Sequence, residues 1–257
     1  MLPRNPRVSV VIPAMNEAMN LPHVLPRIPT WVDEVILVDG HSHDDTVAVA
    51  RALLPTIRII AQEGRGKGAA LRTGFAAVTG DIIIMLDADG SADADEIERF
   101  VDALLSGADF AKGTRYLTGG GSADITGFRS LGNRLLGHLV NILFGVRYTD
   151  LCYGYNAFWA HCLPHMQVDC DGFEVETQIN IRIAQAGLTV CEVPSFEGKR
   201  IHGVSNLNAF RDGWRVLRTI TREWLRPRKR SQPRIGIEQW EVLRPDPRDI
   251  DLGAKAN

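Results

Sequence analysis

Along the first 111 residues, short continuous apolar runs alternate with stretches of helical periodicity. The runs are Val8–Pro13, Glu34–Val38, Ile57–Ala61 and Ile82–Leu86, rich in β-branched residues and without polar alternation, as expected of strands covered on both faces. Between them, Thr46–Leu54 and Lys67–Val78 read as helices, and Asp93-Ala-Asp-Glu supplies an acidic first turn for another helix reaching about Ser106. That order predicts βαβ units in an α/β domain with a mostly parallel sheet. Ligands of such sheets sit beyond the carboxyl ends of the strands.

After Ala111 the rhythm changes. A glycine-rich loop from Thr118 to Ser122 precedes a long helical pattern, Phe128 to Phe144, which puts Leu131, Leu135 and Leu139 on one face. Tyr155–Ala160 and Leu188–Val193 read as further strands, with a helix Glu174–Ala186 between them that ends at Gly187, so the sheet is expected to be mixed. Leu207 to about Leu225 forms an amphipathic pattern, and the proline- and charge-rich stretch from Arg226 has no sustained periodicity. The expected division is one domain over residues 1–225, with a donor-type half at 8–111 and a second-substrate half at 112–225, followed by a loosely ordered tail at 226–257. There is no internal repeat.

Composition adds limits rather than a function. At 257 residues with 45% hydrophobic content, the chain can bury a full core. A formal net charge of −2 gives no global attraction to nucleic acid, so no nucleic-acid partner is expected. Cys152, Cys162, Cys170 and Cys191 lack C-x-x-C spacing, which fits a reduced, cytoplasmic setting. The start of the chain runs straight into a strand pattern without the parts of a signal peptide. Its longest nearly apolar stretch, Leu135 to Val146, is interrupted by His138 and Asn141 and falls short of the roughly 20 residues a spanning helix needs.

The chemistry concentrates at predicted strand ends. Ile82-Ile-Ile-Met-Leu-Asp87-Ala88-Asp89 delivers two carboxylates, one residue apart, to the ligand edge. Hard oxygen ligands suit Mg²⁺ or Mn²⁺, with a diphosphate completing the coordination, although both aspartates could instead cap the next turn. Pro13-Ala-Met-Asn16-Glu17 ends the first strand and Asp39-Gly-His-Ser42-His-Asp44-Asp45-Thr46 the second. Glu17 and Asp39 can accept hydrogen bonds from a base or ribose. Asp44 fits a helix cap equally well. His41 and His43 have no third ligand nearby that would close a tetrahedral metal site. Gly64-Arg65-Gly-Lys67-Gly68 opens the third helix, where backbone N–H groups, Arg65 or Lys67 could meet phosphate, or where glycine could simply allow close packing. It is not a P-loop, because Gly68 stands where Ser or Thr would bind Mg²⁺.

Taken in order, Pro-Ala-Met-Asn-Glu, Val-Asp-Gly-x-Ser-x-Asp-x-Thr, Gly-Lys-Gly and Asp-Ala-Asp resemble family 2 glycosyltransferases of GT-A fold, over about residues 8 to 207. Gly113-Thr-Arg115-Tyr116, Phe128-Arg129-Ser130-x-x-Asn133 and Arg200-x-x-Gly203-x-Ser205-x-Leu207 make the later part most similar to dolichyl- or polyprenyl-phosphate mannose synthases. Two departures stand out: Asn206 where a lysine is expected, and Gly90-Ser91 where Leu-Gln is usual. The resemblance implies donor contacts at Pro13, Asn16, Glu17, Asp39, Lys67, Asp87, Ala88 and Asp89, with metal on Asp87 and Asp89. It further implies phosphate or acceptor contacts at Arg115, Arg129, Asn133, Arg200 and Ser205. The donor implied first is GDP-mannose and second UDP-glucose; the acceptor is polyprenyl phosphate, with a small-molecule or protein hydroxyl as the alternative and a non-catalytic nucleotide-sugar-binding protein as another.

The expected reaction is an inverting displacement at the anomeric carbon, with Asp89 and Arg115 counted among the catalytic groups. An alcohol acceptor would need a base, for which Asp150 is the first candidate, then Glu174 or Glu176 at a helix start. A lipid acceptor would require a peripheral position on the cytoplasmic membrane face. Leu207, Phe210, Trp214, Leu217 and Trp224 form one stripe of the last helix and Arg211, Arg215, Arg218 and Arg222 another, which reads either as an interfacial helix or as a helix docked on its own domain.

Overall fold

The computed structural model describes residues 5–204 and 207–226 and the strand at 237–239. Ten strands and eight α-helices are found there: β1 (Val8–Ala14), α1 (Leu21–Val24), β2 (Glu34–Asp39), α2 (Thr46–Leu53), β3 (Arg58–Ala61), α3 (Lys67–Ala77), β4 (Ile82–Met85), α4 (Ile97–Leu105), β5 (Phe110–Thr114), β6 (Gly121–Ser122), α5 (Gly127–Phe144), β7 (Asn156–Trp159), α6 (Leu163–Met166), α7 (Val175–Gln185), β8 (Val190–Pro194), β9 (Phe196–Glu197), α8 (Ala209–Leu225) and β10 (Ile237–Gln239). Eight of the strands make one sheet in the order β10-β8-β5-β7-β4-β1-β2-β3, and β6 pairs with β9 in a small second one.

The main sheet is mixed as expected: β7 runs antiparallel between β4 and β5, and the remaining neighbours pair in parallel. Period-2 alternation feeds two cores. Val10, Ile12, Ile82 and Ile84 face α1, α2 and α4, while Val11, Ile83 and Met85 face α3 and α7. Phe158 of β7 stacks on Phe110 at 5.7 Å and meets Phe75 edge-on at 5.5 Å, so this strand is fixed by aromatic packing as well as by its ladder.

Several elements differ from the sequence pattern. β5 begins where the rhythm seemed to dissolve, because it lies buried between β7 and β8 and its five residues include Lys112 and Gly113. The Leu131 and Leu135 face of α5 points outward, both more than half exposed; Asn133, Gly137 and Val140 are the buried positions. Beyond Arg226, where no element was expected, Ile237–Gln239 adds a parallel edge to β8.

α8 also turns differently from the stripe in the sequence. Its inward face is Asp212, Val216, Thr219, Ile220 and Glu223, and Phe210, Trp214 and Trp224 stay exposed. Polar residues can occupy that inward face because they are paired. Arg182 of α7 donates to Glu223 at 2.7 and 3.2 Å and to Asp169 at 2.7 Å. Removing one partner of such a buried pair costs about 3–5 kcal/mol.

Candidate active site

Leu86 and Ala88 are buried after β4, so alternation turns Asp87 and Asp89 the other way, toward open space. Two cavities meet there. One of about 730 Å³ is lined by Pro13, Asn16, Glu17, Lys67, Asp87, Ala88 and Asp89 among others, which brings together every expected donor contact except Asp39. The other, about 440 Å³, is walled by α5, α8, Tyr153, Tyr155 and Phe173 and contains the expected acceptor residues Arg115, Arg129, Asn133 and Arg200. Ser205 lies outside the described residues.

The two first strand ends are stitched to each other. Asn16 adopts a left-handed φ of 58°, which asparagine tolerates; its N–H donates to Ser42 Oγ at 2.9 Å and its Oδ1 accepts from His43 N at 2.8 Å. Asp39 accepts from Ser42 N at 3.3 Å and thus closes its own turn, while Gly40, His41 and Gln62 take its place on the cavity wall. Asp44 accepts from Thr46 N at 3.0 Å and so closes the turn leading into α2, whose N-cap position is Asp45.

The glycines at the start of α3 serve packing. A Cβ at Gly66 or Gly68 would lie 2.3 Å from Asp171 O or 2.1 Å from Cys170 O, and Gly68 N already donates to Asp171 O at 2.9 Å. The backbone donor at Gly68 is therefore satisfied within the protein; Arg65 and Lys67 both line the larger cavity, and Lys67 is the one bonded to the site carboxylates. Its Nζ lies 2.6 Å from Asp87 Oδ1 and 2.9 Å from Glu176 Oε1. Burial works against the charge on Lys67, but the two carboxylates outweigh it and hold its pKa above the ordinary lysine value. Burial raises the Glu176 carboxyl in turn, partly offset by Lys67.

Asp89 accepts from Ser91 N at 2.9 Å and Ser91 Oγ at 2.7 Å through Oδ1, and Arg200 Nη1 stands 3.4 Å from its Oδ2. Arg200 also donates to Glu17 and, through Nε, to His202 O at 2.8 Å. Burial raises Glu17, opposed by hydrogen bonds from Asn20 and the Arg200 charge. Loop 198–204 is laced to the β4 end by Gly198 N to Ser91 O at 2.7 Å and Ile201 N to Asp89 O at 3.2 Å. Among the described residues, no three His, Cys, Asp or Glu side chains gather on one metal position. The donor set, two partly open carboxylates, fits a hard divalent ion, which would be held by Asp87 and Asp89 and would draw its other oxygen ligands from outside the protein.

The acceptor-side arginine is held differently. Arg115 donates through Nε to Asp150 Oδ2 at 2.7 Å, through Nη2 to Asp150 Oδ1 at 3.0 Å and through Nη1 to Glu197 Oε2 at 3.0 Å, and it lies 4.9 Å from the Tyr153 ring centre. Asp150 is 0% exposed and accepts also from Asn133 Nδ2 at 2.9 Å. Burial would raise its pKa, but the hydrogen bonds and charge of Arg115 hold it below the usual carboxylate value. Both oxygens of this enclosed carboxylate are already bonded within the protein. Asp150, the first candidate for a general base, is thus bonded to Arg115 and lines neither cavity. Asn133 is bonded within the protein as well: its Oδ1 accepts from Leu151 N at 3.2 Å and Cys152 N at 3.1 Å. Arg129 pairs with Asp124 at 3.0 Å on the cavity rim. Glu197, which sequence reading missed, joins Arg115 to Ser122 of β6; the two-residue strands that place it carry no periodic signal.

The model of glycosyl transferase family 2 matches residues 9–156, which contain both first strand ends and the Asp87-Ala88-Asp89 segment. The chain belongs to this family. It is a glycosyltransferase. Among its relatives are the glycosyltransferase AglJ of Haloferax volcanii, 29% identical over 82% of this chain and 70% of the relative, and a polyprenol monophosphomannose synthase of Mycolicibacterium smegmatis, 31% identical over 79% of this chain and 81% of the relative. The fold is that of glucosyl-3-phosphoglycerate synthase from Mycobacterium tuberculosis, solved with Mn²⁺, UDP and phosphoglyceric acid, at a TM-score of 0.69 and 24% identity, covering 87% of this chain and 80% of that one. The family 2 glycosyltransferase described here thus has the GT-A architecture, and among its described residues no helix is long and apolar enough to cross a membrane.

Proposed function

We propose that this glycosyltransferase moves a hexose, mannose or glucose, from a nucleoside-diphosphate sugar to polyprenyl phosphate, with inversion and with Mg²⁺ or Mn²⁺ held by Asp87 and Asp89. The observation that carries the reading is the second cavity. It adjoins the two aspartates, contains Arg129 and Arg200, and is walled by α5 and α8, whose outer faces expose Phe128, Leu131, Leu135, Phe210 and Trp214. A phosphate head beside the donor and an apolar tail along two exposed helix faces match that layout. The similarity to a polyprenol monophosphomannose synthase supports the same acceptor class.

In this reading the anomeric C–O bond to the donor diphosphate breaks and its electron pair leaves with the nucleoside diphosphate. An acceptor phosphate oxygen, already ionised near neutral pH, forms the new C–O bond without help from a general base. A bound divalent ion supplies charge neutralisation at the diphosphate. Lys67 and Arg200 lie on the donor side: each neutralises a site carboxylate, and each would be free to turn its charge toward donor phosphate if Asp87 and Asp89 held a divalent ion. Arg115, fixed by Asp150, presents a preset positive edge to the acceptor cavity.

The test is incubation of purified protein and Mg²⁺ or Mn²⁺ with GDP-mannose and UDP-glucose, separately, and polyprenyl phosphate, read by mass analysis. A hexosyl phosphopolyprenol is expected with one donor. Transfer solely to a hydroxyl compound would reject the lipid-phosphate acceptor.

A further inference from the structure

We infer that Arg211 and Arg215 of α8 are donor-binding residues, contacting the nucleoside diphosphate from the α8 wall of the pocket. In the sequence they fall into a cationic stripe with Arg218 and Arg222. The structure breaks that stripe into separate duties. Arg222 is spent on Asp169 at 2.6 Å and on Glu223 at 3.2 Å. Arg218 is exposed and lies outside both cavities. Arg211 and Arg215, four residues and so about one turn apart, both line the 730 Å³ cavity that holds Asp87, Asp89 and Lys67.

Their aim is set by a buried carboxylate. Asp212 is 2% exposed and its Oδ2 accepts from Asn208 N at 2.7 Å, which fixes the side chain against the start of α8. Its Oδ1 faces Arg211 Nε at 3.4 Å and Arg215 Nη1 at 3.8 Å, close enough to orient both guanidinium groups and too far to saturate either. Among the described residues Arg215 donates no hydrogen bond to the protein. Its Nη1 packs on Gly172, where a Cβ would come within 2.7 Å, so a side chain there would push the guanidinium from the cavity.

The charge balance of the cavity says what the pair meets. Its wall carries five cations, Arg65, Lys67, Arg200, Arg211 and Arg215, against three carboxylates, Glu17, Asp87 and Asp89. Lys67 and Arg200 are paired with those carboxylates, and Asp212 offsets one charge of Arg211 and Arg215 from behind, which still leaves a positive excess on the rim formed by α8 and Arg65. Two forked donors with unsatisfied N–H groups facing a cavity are suited to phosphate oxygens. The inference rests on the donor reading above and adds that α8, the helix proposed to touch the lipid surface, also closes over the donor.

The test is titration calorimetry of the full chain with UDP and with GDP in the presence of Mg²⁺, alongside flotation with anionic vesicles. The R211A/R215A double variant is expected to bind the preferred nucleotide at least about tenfold more weakly, the loss typical of one charge-assisted hydrogen bond. Arg218→Ala, which removes the same charge from the same helix, is expected to stay within about twofold of the unchanged chain, a loss well below one such bond. Arg215→Lys, which keeps the charge and loses the fork, is expected to fall between them, and it decides the matter if the double variant does not fold. Wild-type-like nucleotide binding by R211A/R215A, or an equal loss in Arg218→Ala, overturns the inference. Lost flotation with unchanged nucleotide binding assigns the pair to the membrane and overturns it too. If the unchanged chain binds neither nucleotide, the donor reading itself fails.

Discussion

Arg115 and Arg200 sit on either side of the same site and are built in opposite ways. Arg115 is buried, bidentate to a fully enclosed Asp150, and backed by Asn133, Glu197 and the Tyr153 ring. Arg200 is partly open and divides itself between Glu17, Asp89 and a carbonyl of its own loop. The first arrangement stores a fixed charge in a place that does not reorganise; the second leaves a charge exchangeable with whatever ion and phosphate arrive. Lys67, shared by Asp87 and Glu176, belongs with Arg200 on the exchangeable side. Two arginines beside polar turns look alike in sequence, and what separates them is the second bond made by their carboxylate partners.

The largest expected effect falls on the exchangeable side and on turnover. Asp89→Ala is expected to lower the metal-dependent rate by about 10²–10³-fold or more, the scale seen when a preorganised electrostatic contact to the leaving group is lost, with little change in melting temperature; full retained activity removes Asp89 from the mechanism. On the fixed side the effect falls on folding. Arg115→Ala leaves Asp150 buried without its counter-charge and should cost about 3–5 kcal/mol in urea unfolding, whereas Arg200→Ala should cost at most about 1 kcal/mol while raising the donor KM. Equal destabilisation by the two would erase the distinction.

The legibility of the chain follows the same division between local and non-local causes. β1, β2 and β4 were readable because both faces are largely buried and the apolar runs are continuous, β3 from its apolar run alone since it is a partly exposed edge strand, and the Asp87-Ala88-Asp89 segment because alternation carries its carboxylates outward from buried Leu86 and Ala88. β5 was not, since its Lys112 is tolerated only beside Asp150 and Glu192, residues from distant segments; burial lowers that lysine's pKa against their pull. The inward face of α8 escaped for a similar reason. Asp212 and Glu223 read as surface charges until Asn208 and Arg182 are seen to satisfy them, and so periodicity alone left the aromatic stripe open between a docked and an exposed face.

The two faces of α8 give the next pair of experiments. Ile220→Ala, on the buried face, should destabilise by about 2–4 kcal/mol. Trp214→Ala, on the exposed one, should change stability by no more than about 0.5 kcal/mol while weakening flotation with anionic vesicles. A Trp214→Ala variant that loses stability instead would place the ring in a contact the structure does not contain.

The smallest effect is in the pH dependence, and the two sides differ in sign. Asp150 is held below its ordinary pKa, so its contribution to stability is complete above the unfolded value of about 3.9 and is lost as pH falls through the folded one. Glu17 and Glu176 are raised by burial, so their contribution is complete below the unfolded value and is lost as pH rises through the folded one. Melting curves against pH should therefore show a shallower acid limb in Asp150→Asn and less loss on the rising side in Glu17→Gln; a change of the opposite sign in either would mean that the charge pairing is misassigned.

The measurement that bears most directly on the central claim is the identity of the product formed with the preferred nucleotide sugar when polyprenyl phosphate and a panel of hydroxyl compounds compete in one reaction. The expected result is a polyprenyl phosphate heavier by one hexose, formed only with Mg²⁺ or Mn²⁺ present and absent with Asp89→Ala. Hexose found on a hydroxyl compound with polyprenyl phosphate untouched would contradict the account.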